Sequence, residues 1–345
     1  TCVPDREVVR IHASSGTTGR RTLCTYTHHD LEEWTTMFAR CLEYAGITHA
    51  DRVQLMVGYG LWTAGWGFQA AVERVGAMAI PSGPGHTDLQ LELMADLGTT
   101  ALCATSSFAL AVGERVAMAG GAPPGLRVGI FGSERWSELT RNRIENLLGL
   151  TAFDIYGLTE LWGPGAGIEC GQHDGMHVWT DHFLVEVLAR ATLEPVPPGA
   201  PGELVVTTLR KEATPLLRYR TRDLTTLDLT PCPCGSPYPR IGRLRGRSDD
   251  MIKARGVMFF PAHVEHVLGQ VAGATGEYRI EIDRDGTGER VLVRAEAPDG
   301  PGLGAHIAQL LRAEVGLRAE VEVVAPGTLP RSERKTQRVH DHRPH

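Results

Sequence analysis

"HASSGTTGR", residues 12–20, packs small and hydroxyl-bearing side chains closely together. Ser14, Ser15, Thr17 and Thr18 crowd four hydroxyls around Gly16 and Gly19, and Arg20 closes the run. Gly and Ser clusters mark turns and flexible loops. They also build phosphate cradles, where successive backbone N–H groups and hydroxyls wrap anionic oxygens and a cation completes the charge. The flanks separate these readings. "VVRIH" (8–12) reads as a strand entering the loop and "TLCTYT" (22–27) as a strand leaving it. A helix begins only afterwards, with Thr27 as N-cap and Leu31, Trp34, Phe38 and Leu42 on one face. A Walker A loop runs strand–loop–helix and ends in Gly-Lys-Ser/Thr. Here a hairpin loop ends in Gly-Arg, so it is not of that type, yet it can still grip phosphates.

The chain of 345 residues, 42% hydrophobic and 22% charged, is long enough for a sizeable core and for two domains. Its net charge of −6 gives no general reason to expect nucleic acid or an anionic membrane as partner. With no bilayer-length apolar run and no signal-peptide pattern, the expectation is a cytoplasmic protein. Seven scattered cysteines suggest thiols or metal ligation rather than disulfides. Lysine is confined to Lys211, Lys253 and Lys335 among many arginines, so a lysine inside a motif draws interest.

Beyond the hairpin, short apolar segments at 53–57, 77–81, 100–104, 128–131 and 153–156 alternate with helical patterns. Such alternation predicts an α/β layer structure with a largely parallel sheet, whose ligands gather at the carboxyl ends of strands. "PSGPGHT" (81–87), "GSERW" (132–136) and "GLTE" (157–160) fall at such ends. From Pro195 to Arg222 the pattern turns to β. "GRLRGRSDDMIKARG" (242–256) reads as a hinge. The order helix (261–271), strand (278–283), strand (291–297), helix (303–315), strand (320–324) then predicts a small α+β domain, followed by a basic tail without period. The expected division is a large domain over 1–246 and a small one over 247–345.

Seven segments, in order and over nearly the whole chain, resemble the adenylate-forming enzymes, and most of all the phenylacetate–coenzyme A ligase family. They are "SSGTTG" (14–19), "GYGL" (58–61), "DIYGLTE" (154–160), "WTDHF" (179–183), "RYRTRD" (218–223), "GRSDDMIKARGVMFFP" (246–261) and "LPRSERK" (329–335). The resemblance implies a large multi-layer N-terminal domain with mostly parallel sheets plus a β-region, and a small mobile α+β C-terminal lid. Relatives carry a substantial segment ahead of the stretch that starts at Val8, so the resemblance sets the expectation of either a sequence that lacks part of the protein or a shortened member of the family.

It assigns roles as well. Ser14, Ser15, Gly16, Thr17, Thr18 and Gly19 would hold the departing phosphates of ATP. Relatives carry Lys-Pro next; Arg20-Arg21 keeps the charge here. Tyr156 would stack on adenine and Thr159 would touch the α-phosphate. Glu160 would hold Mg2+, a hard cation that takes oxygen ligands. Asp223 would accept the ribose hydroxyls and Arg247 would contact ribose or phosphate. The small domain would swing about Asp249. Lys335 would bridge the substrate carboxylate and the α-phosphate, with Arg334 where relatives have glycine. "KARG" (253–256) would line the approach of the coenzyme A thiol. "GYGLWTAGWG" (58–67) and "FGSERW" (131–136) align with acid-pocket segments, making Tyr59, Trp62, Trp66 and Glu134 pocket candidates. Aromatic walls favour an aryl or arylacetic acid.

A second constellation is metal-like. Cys170 and His177 in "ECGQHDGMH" and Cys232 and Cys234 in "CPCG" offer three thiolates and an imidazole, which suits a closed tetrahedral zinc site; His173 competes as a ligand. The basic run Arg240, Arg243, Arg245, Arg247, Lys253, Arg255 is attributed to ATP and coenzyme A phosphates rather than to nucleic acid. The expected function is ATP-dependent activation of a small aryl or arylacetic acid to acyl-AMP, then thioester formation with coenzyme A. Transfer to a carrier protein or an amine, a non-catalytic nucleotide- or acid-binding relative, and a homodimer stay open.

Overall fold

The computed structural model describes residues 1–14, 21–285, 288–298, 300–330 and 337–343. Strands β1 (Arg10–Ala13) and β2 (Leu23–Tyr26) pair antiparallel, so the hydroxyl-rich loop joins a hairpin as expected. Helix α1 (His28–Tyr44) starts where the sequence places its cap. Thr27 Oγ1 accepts from Asp30 N at 3.0 Å and the Asp30 carboxylate accepts from Thr27 N at 3.0 Å, a complete capping box. Trp34, Phe38 and Leu42 are buried on the face that α1 presents to the core.

The chain then alternates through β3 (Arg52–Leu55), α2 (Thr63–Val75), β4 (Met78–Ile80), α3 (Thr87–Asp96), β5 (Ala101–Thr105), α4 (Ser106–Met118), β6 (Val128–Gly132), α5 (Glu138–Leu148) and β7 (Thr151–Leu158). These strands are parallel in the spatial order 4-3-5-6-7. Every residue of β5 and β6 is buried, as strands covered by helices on both faces must be. The sheet does not stay parallel. Beyond β7 it continues antiparallel through β8 (Gly163–Glu169) and β9 (Met176–Val178). After β10 (Phe183–Leu188), β11 (Gly202–Thr208) and β12 (Tyr219–Thr225) come β13 (Leu227–Asp228) and β14 (Arg240–Ile241), which complete its nine strands. The expected parallel sheet is present as five parallel strands, and four antiparallel ones extend it. The physical reason is the tight turn at 159–162, which reverses the chain without a crossover helix. A second, antiparallel sheet orders β10, β11, β12 and β15 (Gly246–Arg247).

The remainder forms a separate core built by the hairpin β16 (Ile252–Ala254) and β17 (Val257–Phe259), α6 (Pro261–Gly269), β18 (Tyr278–Asp285), β19 (Gly288–Glu296), α7 (Leu303–Val315) and β20 (Glu320–Val324). The tail read as aperiodic adds β21 (Val339–Asp341), parallel to β18. It is too short to show a period. Two further attributions change. Arg240 is buried and pairs with Asp228 and Asp174, and Arg243 pairs with Glu138; both serve internal ion pairs, not ligand phosphates. "PSGPGHT" folds at the sheet edge, where the Gln90 amide donates to Gly83 O and Gly85 O at 3.0 Å. Among the described residues no helix is long and apolar enough to cross a membrane.

Asp30 does more than cap. Fully buried, its carboxylate also accepts from Glu212 N at 2.8 Å and Ala213 N at 3.1 Å. Asp30→Ala strips three backbone donors of their partner. It should lower the free energy of unfolding by about 2–4 kcal/mol, read from urea-denaturation midpoints. Glu32→Ala, an exposed change on the same helix, should stay within about 0.5 kcal/mol.

Candidate active site

Strand order decides what meets at the carboxyl edge of the parallel sheet. The chain runs to β4 on one side of β3 and to β5 on the other, so strand order reverses beside β3, the kind of place where open α/β sheets gather ligands. Gly58–Gly60 follows β3, Ser106 and Ser107 follow β5, Glu134 follows β6, and Thr159–Glu160 follows β7. The β1–β2 hairpin is tied to this edge by Ala13 N donating to Leu61 O at 2.9 Å. Ser14 forms the root of its loop: Ser14 N donates to Thr22 O at 2.9 Å and Ser14 Oγ accepts from Thr22 N at 3.0 Å. Ser15, Gly16, Thr17, Thr18 and Gly19 lie outside the described residues, as does Lys335.

Thr159 and Glu160 lie in a single 3-10 turn over Thr159–Leu161. Trp162 follows in the left-handed region at φ 78°, and then Gly163 at φ 126°. A Cβ on Gly163 would lie 2.6 Å from the Thr63 side chain and 2.9 Å from the Trp34 ring, so only glycine fits. The half-buried Glu160 carboxylate makes no hydrogen bond or ion pair among the described residues. An unpartnered carboxylate at the sheet edge fits a hard divalent cation.

Tyr156, Asp223, Arg247 and Asp249 come together. β12 and β15 pair with Asp223 opposite Arg247. The Tyr156 hydroxyl donates to Asp223 Oδ2 at 2.7 Å, and Arg247 Nη1 stands 3.8 Å from Asp223 Oδ1. Arg247 also forks onto Asp249 through two bonds of 2.9 Å. Burial pushes the Asp223 carboxyl up to about 6, against the Tyr156 hydroxyl and the Arg247 charge, which pull it down. The contact between Tyr156 and Asp223 spans 67 positions, and no local spacing foretells it.

The pocket candidates divide. Tyr59 and Trp66 meet edge to face at 5.4 Å, with the Arg10 guanidinium 5.5 Å over the Trp66 ring. Trp62 packs on the main core, close enough that a Cβ on Gly58 would lie 2.9 Å from its ring. Glu134 accepts from Ser107 N at 2.7 Å and from Ser106 Oγ at 3.2 Å, at the start of α4. One group the sequence singled out only for rarity joins the site: Lys211 Nζ donates to Glu160 O at 2.8 Å.

The metal-like constellation assembles. One donor atom each from Cys170, His177, Cys232 and Cys234 lies within 4.8 Å of all the others. Zinc–sulfur bonds in a tetrahedron separate two sulfurs by about 3.8 Å. Cys170 Sγ and Cys232 Sγ are 3.8 Å apart, and Cys234 Sγ is 3.4 Å from His177 Nε2. Tyr238 O accepts from His177 Nδ1 at 2.8 Å; a carbonyl can only accept, so Nε2 keeps its lone pair for a cation. His173 is elsewhere, with Nδ1 3.2 Å from Arg141 Nη1 and 3.4 Å from Glu169 Oε2.

The raised Asp223 carboxyl has a signed consequence. Its folded value lies above the unfolded one, so it contributes stability at pH below the unfolded value and loses it as pH rises through about 6. Asp223→Asn should therefore flatten the pH dependence of stability between pH 4 and about 6. Tyr156→Phe removes a donor to the carboxylate and should move the Asp223 titration upward, followed by its side-chain carboxyl 13C shift.

Comparison with known proteins agrees with this geometry. Residues 2–209 match the AMP-binding enzyme family and residues 256–343 match the AMP-binding enzyme C-terminal domain. The chain is 40% identical to a phenylacetate–coenzyme A ligase of Pseudomonas putida over 99% of its own length and 80% of that enzyme. It is 40% identical to the Escherichia coli K12 enzyme of the same name, over 98% and 80%. Its structure superposes on 2-hydroxyisobutyryl-CoA ligase in the postadenylation state with a TM-score of 0.89 at 29% identity, covering 99% of this chain and 75% of that one. Against the same ligase in its thioesterification state the TM-score is 0.70. The chain belongs to the AMP-binding enzymes and, within them, to the phenylacetate–coenzyme A ligase family of acid–thiol ligases.

Proposed function

We propose that this protein uses ATP and Mg2+ to activate a small aryl or arylacetic acid as its acyl-adenylate, and then passes the acyl group to the thiol of coenzyme A. The observation that carries this reading is identity of 40%, over nearly the whole chain, to enzymes named for that reaction. The site geometry supports it. A carboxylate oxygen is a poor leaving group, and joining it to AMP supplies a good one. That step brings two anions together, so it needs cations and donors where charge collects.

In this reading Asp223, already oriented by Tyr156 and Arg247, accepts the ribose hydroxyls. The loop rooted at Ser14 holds the phosphates that depart. Thr159 touches the α-phosphate, and the free carboxylate of Glu160 holds magnesium, which neutralises phosphate charge when bound. Lys335 carries its charge between acid and α-phosphate. Its flanks are fastened: the Glu296 carboxylate accepts from Leu329 N at 2.7 Å, and Arg338 forks onto Glu277 at 2.8 and 2.9 Å. The arrangement of the two domains is the adenylating one, which the higher similarity to the postadenylation state supports. A turn about Asp249 would then bring "KARG" to the thiol. Tyr59 and Trp66 form the aromatic wall of the acid pocket. Cys170, His177, Cys232 and Cys234 hold a structural zinc ion that pins β9 to the segment before β14.

The direct test measures pyrophosphate release with ATP and Mg2+ across a panel of aryl and arylacetic acids, with and without coenzyme A. Multiple turnover only with coenzyme A is the expected result. Release that coenzyme A does not accelerate would point to another acceptor, and silence across the panel would overturn the reading. Lys335→Ala should abolish release while leaving ATP affinity intact by calorimetry. Elemental analysis should find about one zinc per chain, lost in Cys232→Ser with a fall in melting temperature.

A further inference from the structure

Lys211 is a buried lysine whose ammonium feels the charges of Asp30 and Glu160 only at a distance. It follows β11 and is only 5% exposed. Among the described residues no carboxylate comes within ion-pair distance of its ammonium. It is solvated instead by two rings and one carbonyl. The Tyr26 and Trp162 centroids lie 5.1 and 5.4 Å from Nζ, and Glu160 O accepts at 2.8 Å. An ammonium taken out of water without a carboxylate is costly, and a methionine would fill the same space at no such cost. The charge therefore calls for a use.

The use lies in what Lys211 holds. The Tyr26 hydroxyl donates to Trp162 O at 2.9 Å and approaches Thr159 O at 3.4 Å. Lys211 takes the carbonyl of Glu160 between them. Three carbonyls of one short turn are thus gripped from below by two side chains. The turn needs that grip, because Trp162 is a bulky residue held at φ 78°. Lys211 is itself fixed, since the next two backbone N–H groups, of Glu212 and Ala213, donate to Asp30. A hydrogen bond to the Glu160 carbonyl sets the orientation of that residue's peptide, and with it the direction in which the unpartnered carboxylate leaves the backbone.

We propose that Lys211 is the positioning residue that sets the Glu160 carboxylate for magnesium, acting through the main chain; this rests on the reading of Glu160 as the magnesium carboxylate given above. The role is distinct from that of a phosphate-binding arginine, because Lys211 reaches the metal site through a peptide group and not through solvent.

The test compares the full chain with Lys211→Met, Lys211→Gln, Lys211→Arg and Glu160→Gln. Two calorimetric readouts are independent of turnover: the affinity for adenosine, and the Mg2+ concentration at half-saturation for the β,γ-imido analogue of ATP. Lys211→Met should raise the Mg2+ midpoint by about tenfold or more, the loss typical when a group orienting a metal ligand is removed, with adenosine affinity unchanged. In turnover assays it should lower kcat more than it raises KM for the acid. Lys211→Arg, which can still donate to the carbonyl, should recover part of the loss. An unchanged Mg2+ midpoint in Lys211→Met overturns the proposal, as does a parallel loss of adenosine affinity, which would mean general damage to the fold. If Lys211→Met does not fold, Lys211→Gln decides on the same criteria. An unchanged midpoint in Glu160→Gln instead removes the underlying reading of Glu160. A shift in Glu160→Gln without one in Lys211→Met rejects Lys211 alone.

Discussion

The buried carboxylate of Asp30 is the constraint on which the site depends. One group closes the capping box of α1 and accepts from the backbone of Glu212 and Ala213. Thr27, its partner in the box, donates from Oγ1 to Glu212 Oε2 at 2.9 Å, and Thr25 N donates to Thr214 Oγ1 at 3.1 Å. The segment 211–214 is thereby stitched to β2 and to the start of α1. From it Lys211 reaches the turn after β7. The hairpin that carries the hydroxyl-rich loop and the turn that carries Thr159 and Glu160 are thus held in one frame. Carboxylates accepting several backbone donors are among the stronger hydrogen-bonding arrangements, and stripping a buried one leaves every donor unsatisfied.

The change from parallel to antiparallel pairing at β7 follows the same logic of position. Parallel strands bring the ends of β3, β5, β6 and β7 to one edge, which gathers their loops but builds no wall. The reversal through the 3-10 turn carries the chain straight back alongside β7. It places β8 and β9 where the second sheet can pack on them, and that sheet delivers Asp223 to Tyr156. A crossover helix in place of the turn would have filled this space. The four-donor cluster closes the far side by joining His177 of β9 to Cys232 and Cys234 ahead of β14.

Much of this was legible in the sequence because it is local. The Thr27 cap, the face of α1, the parallel strands and the order of elements in the small domain all follow from spacing within one element. The Cys and His quartet was legible because thiol and imidazole side chains carry their chemistry openly, though only the fold removes His173 from it. Contacts between distant segments were not. Arg240 and Arg243 looked like ligand-binding charges because a sequence shows the arginines but not Asp228, Asp174 and Glu138 opposite them. Lys211 looked like any lysine because burial, rings and a carbonyl are supplied by residues up to 185 positions away from it. Short β21 was missed because three residues show no period, and only its pairing with β18 defines it.

The junction between the two cores joins charged and apolar groups. Arg135 joins Glu265 at 3.4 Å, and Leu139 packs on the small domain's core. Burial pushes the Glu265 carboxyl upward, with the Arg135 charge opposing. The Arg135–Glu265 pair is polar, so parting it exposes groups that water can satisfy again. A broad apolar interface would offer no such exchange and would hold the domain fast. The pair formed by Arg247 and Asp249 lies at the end of β15, just ahead of the hairpin that opens the small core. Tyr156 and Asp223 belong to β7 and β12, whereas Asp249 sits in the short link that follows β15, so the two sets of groups are carried by different parts of the chain.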